Sequence, residues 1–162
     1  KDGWGYIDLL GITAKGEICV VELKKEPTTG KKGGTGSSES PLRMVLEAAA
    51  YAVAIRKNWK HFRPALLSRM KSLGINHPSS ETLSEDEPTV RLVGAAPAAY
   101  WLDWLPVTAK GQTVKAGNWK KFNKLLNTFK KNRMPVSFVS ISGDINVPGG
   151  LAAQPLPYFP LS

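Results

Sequence analysis

The chain has 162 residues, 42% of them hydrophobic, which is enough to bury one core and favours a single domain. Its apolar runs are too short for a membrane-spanning helix, no signal-peptide pattern is visible, and a lone cysteine excludes a disulfide framework, so we predict a cytoplasmic protein with no membrane partner. The net charge of +9 favours a polyanionic partner, because Lys and Arg side chains neutralise phosphates.

The first predicted element is a β-hairpin. Two apolar, β-branched runs at residues 5–12 and 17–25 flank a short turn at 14–16 that ends on glycine. A turn of this length and composition suits a three-residue loop with the glycine in the left-handed region. Because both faces of the hairpin are apolar apart from a few charged side chains, we expect helices to cover the sheet on both sides.

The register of this hairpin brings three charged residues together. The turn pairs Thr13 with Glu17, and the same register sets Asp8 opposite Glu22. Since side chains alternate along a strand, Glu22 and Lys24 share the face on which Asp8 lies. A slip of one residue would move Asp8 to the opposite face. We therefore predict that Asp8, Glu22 and Lys24 converge on one patch.

Two carboxylates that face each other in a partly buried site repel each other. They are stable there if one is protonated, if a cation pairs with them, or if a metal ion neutralises them. Oxygen ligands with no thiolate or imidazole among them suit Mg²⁺ or Mn²⁺. A lysine beside such a metal can orient water or offset negative charge on a phosphate. These groups together suit the metal-assisted hydrolysis of a phosphodiester.

The pattern of Asp8, thirteen intervening residues and then Glu22-Leu23-Lys24 resembles the core of the PD-(D/E)XK superfamily, the restriction-endonuclease-like nucleases. The resemblance implies that Asp8 and Glu22 bind Mg²⁺ or Mn²⁺, with the backbone carbonyl of Leu23 as a further ligand. It implies that Lys24 positions or activates the attacking water, which makes Asp8, Glu22 and Lys24 the catalytic residues. It also implies a restriction-endonuclease-like αβ sandwich, with a central mixed sheet of about four strands flanked by helices.

Many members of the superfamily also carry an acid on a helix before the first strand. Only Asp2 precedes the hairpin here, so we expect that helix to be missing from residues 1–147, which we predict to form the nuclease-like domain. Residues 148–162 are rich in proline and are predicted to form an irregular tail. A homodimer and a fusion to other domains in a longer parent chain both stay open.

A loop rich in Gly, Ser and Lys follows the hairpin directly, at residues 27–40. Its Lys31 and Lys32, with Lys25 before it, are predicted to bind nucleic acid if the loop closes over a substrate. The alternative is an ordinary connection between two elements. The loop lacks the Gly-Lys-Ser/Thr ending of a P-loop, which argues against nucleotide hydrolysis.

A helix rich in Ala and Leu is predicted at Pro41–Lys57, with Ser40 as its cap and Pro41 at its first position. Glu47 and Tyr51 are four residues apart and share a helix face. Several branches of the superfamily carry Gln-x-x-x-Tyr on this helix. The resemblance therefore implies that Glu47 and Tyr51 are auxiliary residues and that Glu47 is a further metal ligand. The alternative is a surface glutamate beside a packed tyrosine.

The rest of the chain predicts further elements of an α/β domain, namely a helix at 61–73, a strand at 89–96, a basic helix at 118–133 and a strand at 136–141. The aromatic segment 100–104 is interpreted as core, as a partner surface or as a base-stacking platform. In the basic helix an apolar stripe is assigned to the core. Lys120 and Lys124 lie outside the stripe and are either nucleic-acid-binding residues or part of a solvated face.

The sequence as a whole predicts a Mg²⁺- or Mn²⁺-dependent nuclease that acts on DNA. One alternative is a non-catalytic nucleic-acid-binding or assembly domain with a degenerate nuclease fold. Another is an α/β domain in which Glu22 and Lys24 make structural ion pairs only. A bound divalent ion would separate the first interpretation from the third, and turnover would separate the first from the second.

Overall fold

A five-stranded mixed β-sheet with helices packed on it forms the part of the protein that the computed structural model describes. The described residues are 6–25, 40–75, 83–102, 119–143, 147 and 149–156. The strands are β1 (Leu9–Ile12), β2 (Ile18–Leu23), β3 (Val90–Pro97), β4 (Val136–Gly143) and β5 (Leu151–Pro155). They lie in the order β1-β2-β3-β4-β5, antiparallel at the two outer pairs and parallel in the middle. The predicted α/β class is confirmed.

The hairpin has the predicted register. Leu9 pairs with Val21 and Ile12 pairs with Ile18, which aligns Asp8, one residue before β1, with Glu22. Gly16 closes the turn with a φ of 77°, a left-handed conformation that glycine adopts without steric cost.

The helices are α1 (Pro41–Lys57), α2 (Trp59–Ser72), α3 (Ala98–Leu102) and α4 (Trp119–Lys131). The bounds of α1 are those predicted, because the local signals are strong: the Ser40 hydroxyl accepts a hydrogen bond of 3.3 Å from the Arg43 N–H, and Pro41 stands at the first position. The other predicted helices and strands agree with the observed ones to within two residues at each end, except that β1 begins at Leu9 although its predicted run begins at residue 5. Among the described helices, none is both long and apolar enough to cross a membrane.

Helices cover one face of the sheet. Strands β2, β3 and β4 are parallel neighbours that advance in one direction, and right-handed crossovers between such strands place the connecting helices on the same face. The residues on this face are buried, among them Ile18, Val20, Val90, Leu92, Val136 and Phe138. On the other face Cys19, Val21, Val93 and Val139 are half-buried. The expectation that helices cover both faces is therefore wrong for the described part of the chain.

Gly94 in the middle of β3 lets α1 approach the sheet closely. It is the register partner of Glu22 on one side and of Phe138 on the other. A Cβ atom on Gly94 would overlap Met44 Sδ and lie 2.8 Å from Phe138 Cδ1, so a larger residue fits only if the side chains between α1 and the sheet move. The same face seats α4, whose Phe122 ring lies 6.1 Å from that of Phe138.

The end of the chain contains a strand that the sequence did not predict. The prediction of an irregular tail after Pro148 is wrong for Leu151–Pro155, because this segment pairs with β4 as a fifth strand where about four were expected. Pro155 is tolerated there since it ends an edge strand, whose outer N–H groups need no partner.

The aromatic segment is part of the core, the first of the three predicted alternatives. Tyr100 and Trp101 belong to the core and are each 1% exposed. The Trp101 indole N–H donates to the carbonyls of Ala96 and Val139, at 3.0 Å each.

Candidate functional site

The predicted site lies at one edge of the sheet. Glu22 is the penultimate residue of β2 and Lys24 follows the strand, so both lie at the carboxyl-terminal edge of the parallel strands. Asp8 reaches the same edge because β1 is antiparallel to β2 and begins where β2 ends. Glu47 comes to this edge from the first half of α1, which packs over β2 and β3. Topology thus brings the sequence-predicted acids and the lysine into one region.

Lys24 is held between two carboxyl groups. Its Nζ atom lies 2.9 Å from Glu22 Oε1 and 2.9 Å from Glu47 Oε2, and only 9% of the side chain is exposed. Burial, the largest influence, lowers the pKa of Lys24, but the hydrogen bonds to Glu22 and Glu47 together outweigh it and raise the pKa above its ordinary value. Lys24 is therefore an ammonium ion at neutral pH in this arrangement.

Glu22 is the charged residue with the smallest exposed fraction in the described part of the chain, at 7% of the whole residue. Burial raises the pKa of Glu22, and the neighbouring Glu47 and Asp8 carboxyls raise it further. The hydrogen bond from Lys24 and its charge oppose this rise without cancelling it. Glu22 and Glu47 thus share Lys24, while burial keeps the ionised form of Glu22 unfavourable.

Arg43 completes the cluster, and the sequence analysis missed it. Its Nε atom donates to Glu47 Oε1 at 2.5 Å, one turn of α1 away, while 50% of the Arg43 side chain stays exposed. Burial acts to raise the pKa of Glu47, but hydrogen bonds from Arg43 and Lys24 and one shared with Glu22 hold the pKa below its ordinary value. The spacing of four residues between Arg43 and Glu47 was the sequence signal that indicates this pair.

Asp8 is exposed and is fixed by the backbone of the neighbouring strand. Its Oδ2 atom accepts a hydrogen bond of 2.8 Å from the N–H of Leu23. This contact turns the carboxylate toward the end of β2, on which Glu22 lies. The Leu23 side chain belongs to the opposite face, and the predicted role of its carbonyl oxygen as a ligand stays a prediction.

Tyr51 lies one turn after Glu47 on α1 and packs against the core. Burial raises the pKa of Tyr51, and the charges of Glu22, Glu47 and Asp8 raise it further, so the phenol stays protonated and faces the acid cluster. The two predicted auxiliary residues therefore border the same site as the hairpin acids. The alternative of Glu47 as a plain surface residue does not describe its contact with Lys24.

The carboxyl groups of the site are oxygen donors of the kind that a divalent cation such as Mg²⁺ needs. The described residues contain no group of three His, Cys, Asp or Glu side chains arranged to hold a metal ion. Mg²⁺ needs fewer protein ligands than that, since it usually takes one or two carboxylates and completes its shell with water and substrate phosphate. Asp8 and Glu22 supply carboxylates at adjacent strand ends, and burial together with the neighbouring acids raises the pKa of Glu22, so a bound cation would favour its ionised form. The residues fit such an ion by the chemistry of their donors.

The lysines predicted to bind nucleic acid lie in two places. Lys25 is exposed and directly follows the site, while Lys120 and Lys124 are exposed on α4. Lys31 and Lys32 lie outside the described residues. The described part of the predicted basic surface is thus divided between the end of β2 and the first two turns of α4.

Comparisons of the chain with protein-family models, with curated proteins and with solved structures gave no match. The resemblance to the PD-(D/E)XK superfamily therefore rests on the residue pattern of the hairpin and of α1. What the structure contributes is their arrangement, a cluster of three carboxyl groups and two cations around the buried Glu22, at the carboxyl-terminal edge of the parallel strands.

Proposed function

We propose that this protein is a Mg²⁺- or Mn²⁺-dependent nuclease that hydrolyses phosphodiester bonds, with DNA as its substrate and a restriction-endonuclease-like arrangement of sheet and helices. The observation that carries the proposal is the position of Lys24, 2.9 Å from both Glu22 and Glu47 and close to the Asp8 strand end. A buried glutamate and lysine beside further acids at one edge of a sheet are suited to catalysis on a phosphate. The lone cysteine supports a cytoplasmic setting.

Each residue of the cluster has a role in this proposal. Asp8 and Glu22 would hold the cation, and the carbonyl of Leu23 and the carboxylate of Glu47 are the further oxygens within the same region. A bound Mg²⁺ would act as a Lewis acid toward the phosphate and lower the pKa of a coordinated water. Lys24 is charged, so it orients the attacking water and offsets negative charge on the phosphate oxygens rather than accepting a proton.

Glu47 controls where the Lys24 ammonium lies. It accepts from Lys24 through one oxygen and from Arg43 through the other, so it is held on both sides. The Lys24 ammonium group donates to both Glu22 and Glu47, so its position depends on both carboxyl groups. Glu47 is therefore a positioning residue for Lys24 in this scheme, as well as a candidate ligand.

One observation favours a second function, a non-catalytic nucleic-acid-binding or assembly domain. Glu22, Lys24, Glu47 and Arg43 form a continuous chain of ion pairs that joins β2 to α1. Such a chain connects strand and helix whether or not a phosphodiester is cut. Binding without turnover would then be the property that remains.

A nuclease assay separates these functions. Single-stranded, duplex and branched DNA would be incubated with the protein in Mg²⁺, in Mn²⁺ and in EDTA, beside an Asp8→Asn variant purified in the same way. Cleavage by the wild-type protein that needs the metal and is lost in the variant supports the proposal. Binding of DNA with no cleavage in either metal would leave the non-catalytic function. Equal cleavage by both proteins would show a contaminating nuclease.

A further inference from the structure

We infer that the nucleic-acid strand runs along the carboxyl-terminal edge of the sheet, from the Lys24 site to the first two turns of α4, where its phosphates contact Lys120 and Lys124. The inference rests on the proposed function for the location of the reacting phosphate. It goes beyond that function by assigning the surface that binds the rest of the strand and by excluding the other end of the same basic helix.

The direction of α4 decides which of its lysines lie near the site. The helix follows β3 and precedes β4, so it runs back from the carboxyl-terminal edge of the sheet to the amino-terminal edge. Its far end is fixed at the amino-terminal edge, because the carbonyl of Arg133 accepts a hydrogen bond of 3.0 Å from Val90, the first residue of β3. The Nη1 atom of Arg56, at the end of α1, donates to the Asn132 carbonyl at 2.6 Å in the same place.

The beginning of α4 therefore lies at the edge that carries the site. Lys120 and Lys131 are eleven residues apart, which is about 16 Å along a helix axis that rises 1.5 Å per residue. Lys120 and Lys124 belong to the end near the site, and Lys130 and Lys131 belong to the opposite end.

The charge of this edge suits a polyanion. Lys120, Lys121 and Lys124 are exposed, and the sequence of α4 contains no acidic residue. Phe122 and Leu126 are buried, so the helix that presents the lysines is anchored to the core. At the other end of the edge the cations are the exposed Lys25 and the half-exposed Arg43.

The separation along the edge matches a nucleic-acid backbone. Strands β2 and β4 are two steps apart in the sheet, which is about 10 Å at the usual spacing of neighbouring strands. A strand of duplex DNA carries one phosphate charge for about every 3.4 Å of helix axis. A duplex whose axis lies along this edge would therefore present about three phosphates of one strand between the end of β2 and the start of α4.

Two matched double variants test this path. Lys120→Gln/Lys124→Gln and Lys130→Gln/Lys131→Gln remove the same charge from exposed positions on the same helix, so their effect on net charge is identical. DNA binding would be measured in EDTA over a series of salt concentrations, by fluorescence anisotropy with labelled duplex and single-stranded DNA. We expect Lys120→Gln/Lys124→Gln to weaken binding about tenfold or more and to reduce the salt slope by about two, while Lys130→Gln/Lys131→Gln binds within about twofold of wild type.

Any other pattern overturns the path. Equal losses of DNA affinity in both variants would show a diffuse effect of net charge. Unchanged affinity in both variants would place the nucleic-acid strand elsewhere, and so would a loss of affinity confined to Lys130→Gln/Lys131→Gln. A wild-type protein that binds no DNA would also overturn it. Because binding is measured in EDTA, it is independent of turnover. If the two variants bind as expected but the wild-type protein cleaves no DNA in Mg²⁺ or Mn²⁺, the nuclease function is refuted and the DNA-binding surface is kept. If the wild-type protein cleaves DNA but the variants bind in another pattern, only the DNA-binding surface is refuted.

Discussion

At the scale of single residues, the site is governed by the burial of Glu22 beside two other acids. Lys24 neutralises parts of both Glu22 and Glu47, and Arg43 takes the remaining oxygen of Glu47. Burial still raises the pKa of Glu22, with the neighbouring acids adding to the rise. A protein that only needed to join β2 to α1 would be more stable with an apolar pair in this place, since buried ion pairs seldom exceed their desolvation penalty.

Lys24→Ala is expected to lower single-turnover cleavage by about a hundredfold or more, because it removes a charge that matters chiefly in the transition state. DNA affinity should change little, since it is spread over many phosphate contacts. Single-turnover kinetics and binding in EDTA would be measured together, with Lys60→Ala, an exposed lysine on α2, as the control. A matching loss of affinity would show that Lys24 binds substrate and does not act in the reaction step.

Glu22→Gln is expected to remove metal-dependent cleavage and to raise the thermal unfolding midpoint at pH 7 in EDTA. The physical reason is that the raised pKa of Glu22 marks an ionised form that is less favourable in the folded protein than in the unfolded chain. A neutral amide of the same shape avoids that penalty. Calorimetry and the nuclease assay on one preparation check both parts, and a lower midpoint would mean that the ion pair with Lys24 outweighs the burial of the acid.

Asp8→Asn is expected to fold normally and to lose the heat of Mn²⁺ binding that wild type shows. The amide oxygen can still accept from the Leu23 N–H, so the contact between the strands is kept while the charge is lost. Isothermal titration with Mn²⁺ measures this, and circular dichroism verifies the fold. Superimposable titrations of the two proteins would contradict the role of Asp8 as a ligand.

At the scale of elements, the site depends on how closely α1 lies on the sheet. Glu47 reaches Lys24 from the helix, and the approach of the helix is set by the glycine at position 94, opposite Glu22 in the register. The far end of α1 is fixed separately, by ion pairing of Arg56 with Glu87 at 2.9 Å. The contact of Glu47 with Lys24 and the contact of Arg56 with Glu87 can be tested independently because they lie at opposite edges of the sheet.

Gly94→Ala is expected to destabilise the protein by about 1–3 kcal/mol, the usual cost of overpacking a core. The added methyl would meet Met44 and Phe138, and both are buried. Urea unfolding measures the loss. Gly11→Ala is the matched control on β1, since its nearest neighbour would be the Cys19 Cβ at an ordinary 3.9 Å. Equal stability of the two variants would show that α1 can shift away from β3 at little cost.

Glu87→Gln is expected to reduce stability above about pH 5 and to leave it unchanged at low pH. The hydrogen bond with Arg56, followed by its charge, lowers the pKa of Glu87, so the contribution is full above the ordinary glutamate pKa of about 4.3 and disappears as pH falls through the lowered pKa. Unfolding midpoints from pH 2 to 7 check this. Glu85→Gln is the control, because Glu85 is 90% exposed and lies 4.0 Å from Arg63.

At the scale of the whole molecule, charge and topology act together. The net charge of +9 does not by itself indicate where on the protein a polyanion would bind. The parallel order β2-β3-β4 indicates a binding surface, because it places the end of β2 and the start of α4 at the same edge of the sheet. The basic residues of α4 are then divided between two edges of the sheet, although they are continuous in sequence.

Local signals in the sequence determined the hairpin, its register and the bounds of α1. The glycine turn sets the pairing of Asp8 with Glu22, and Ser40 with Pro41 sets the start of the helix, because these interactions connect residues only a few positions apart. Because side chains alternate along a strand, Glu22 and Lys24 were predicted to share one face. The hydrogen bonds of Lys24 to both Glu22 and Glu47 agree with this prediction.

Tertiary structure alone decided the features that join distant segments. The pairing of Leu151–Pro155 with β4 overrode a proline-rich composition, since an edge strand tolerates proline where a local reading predicts coil. Helices cover one face of the sheet because two crossovers advance in the same direction, which no periodicity within a strand reveals. The contacts of Glu47 with Lys24 and Arg43 likewise depend on the close packing of α1 on the sheet. This packing is possible because Gly94 has no side chain opposite Met44, a residue fifty positions earlier in the sequence.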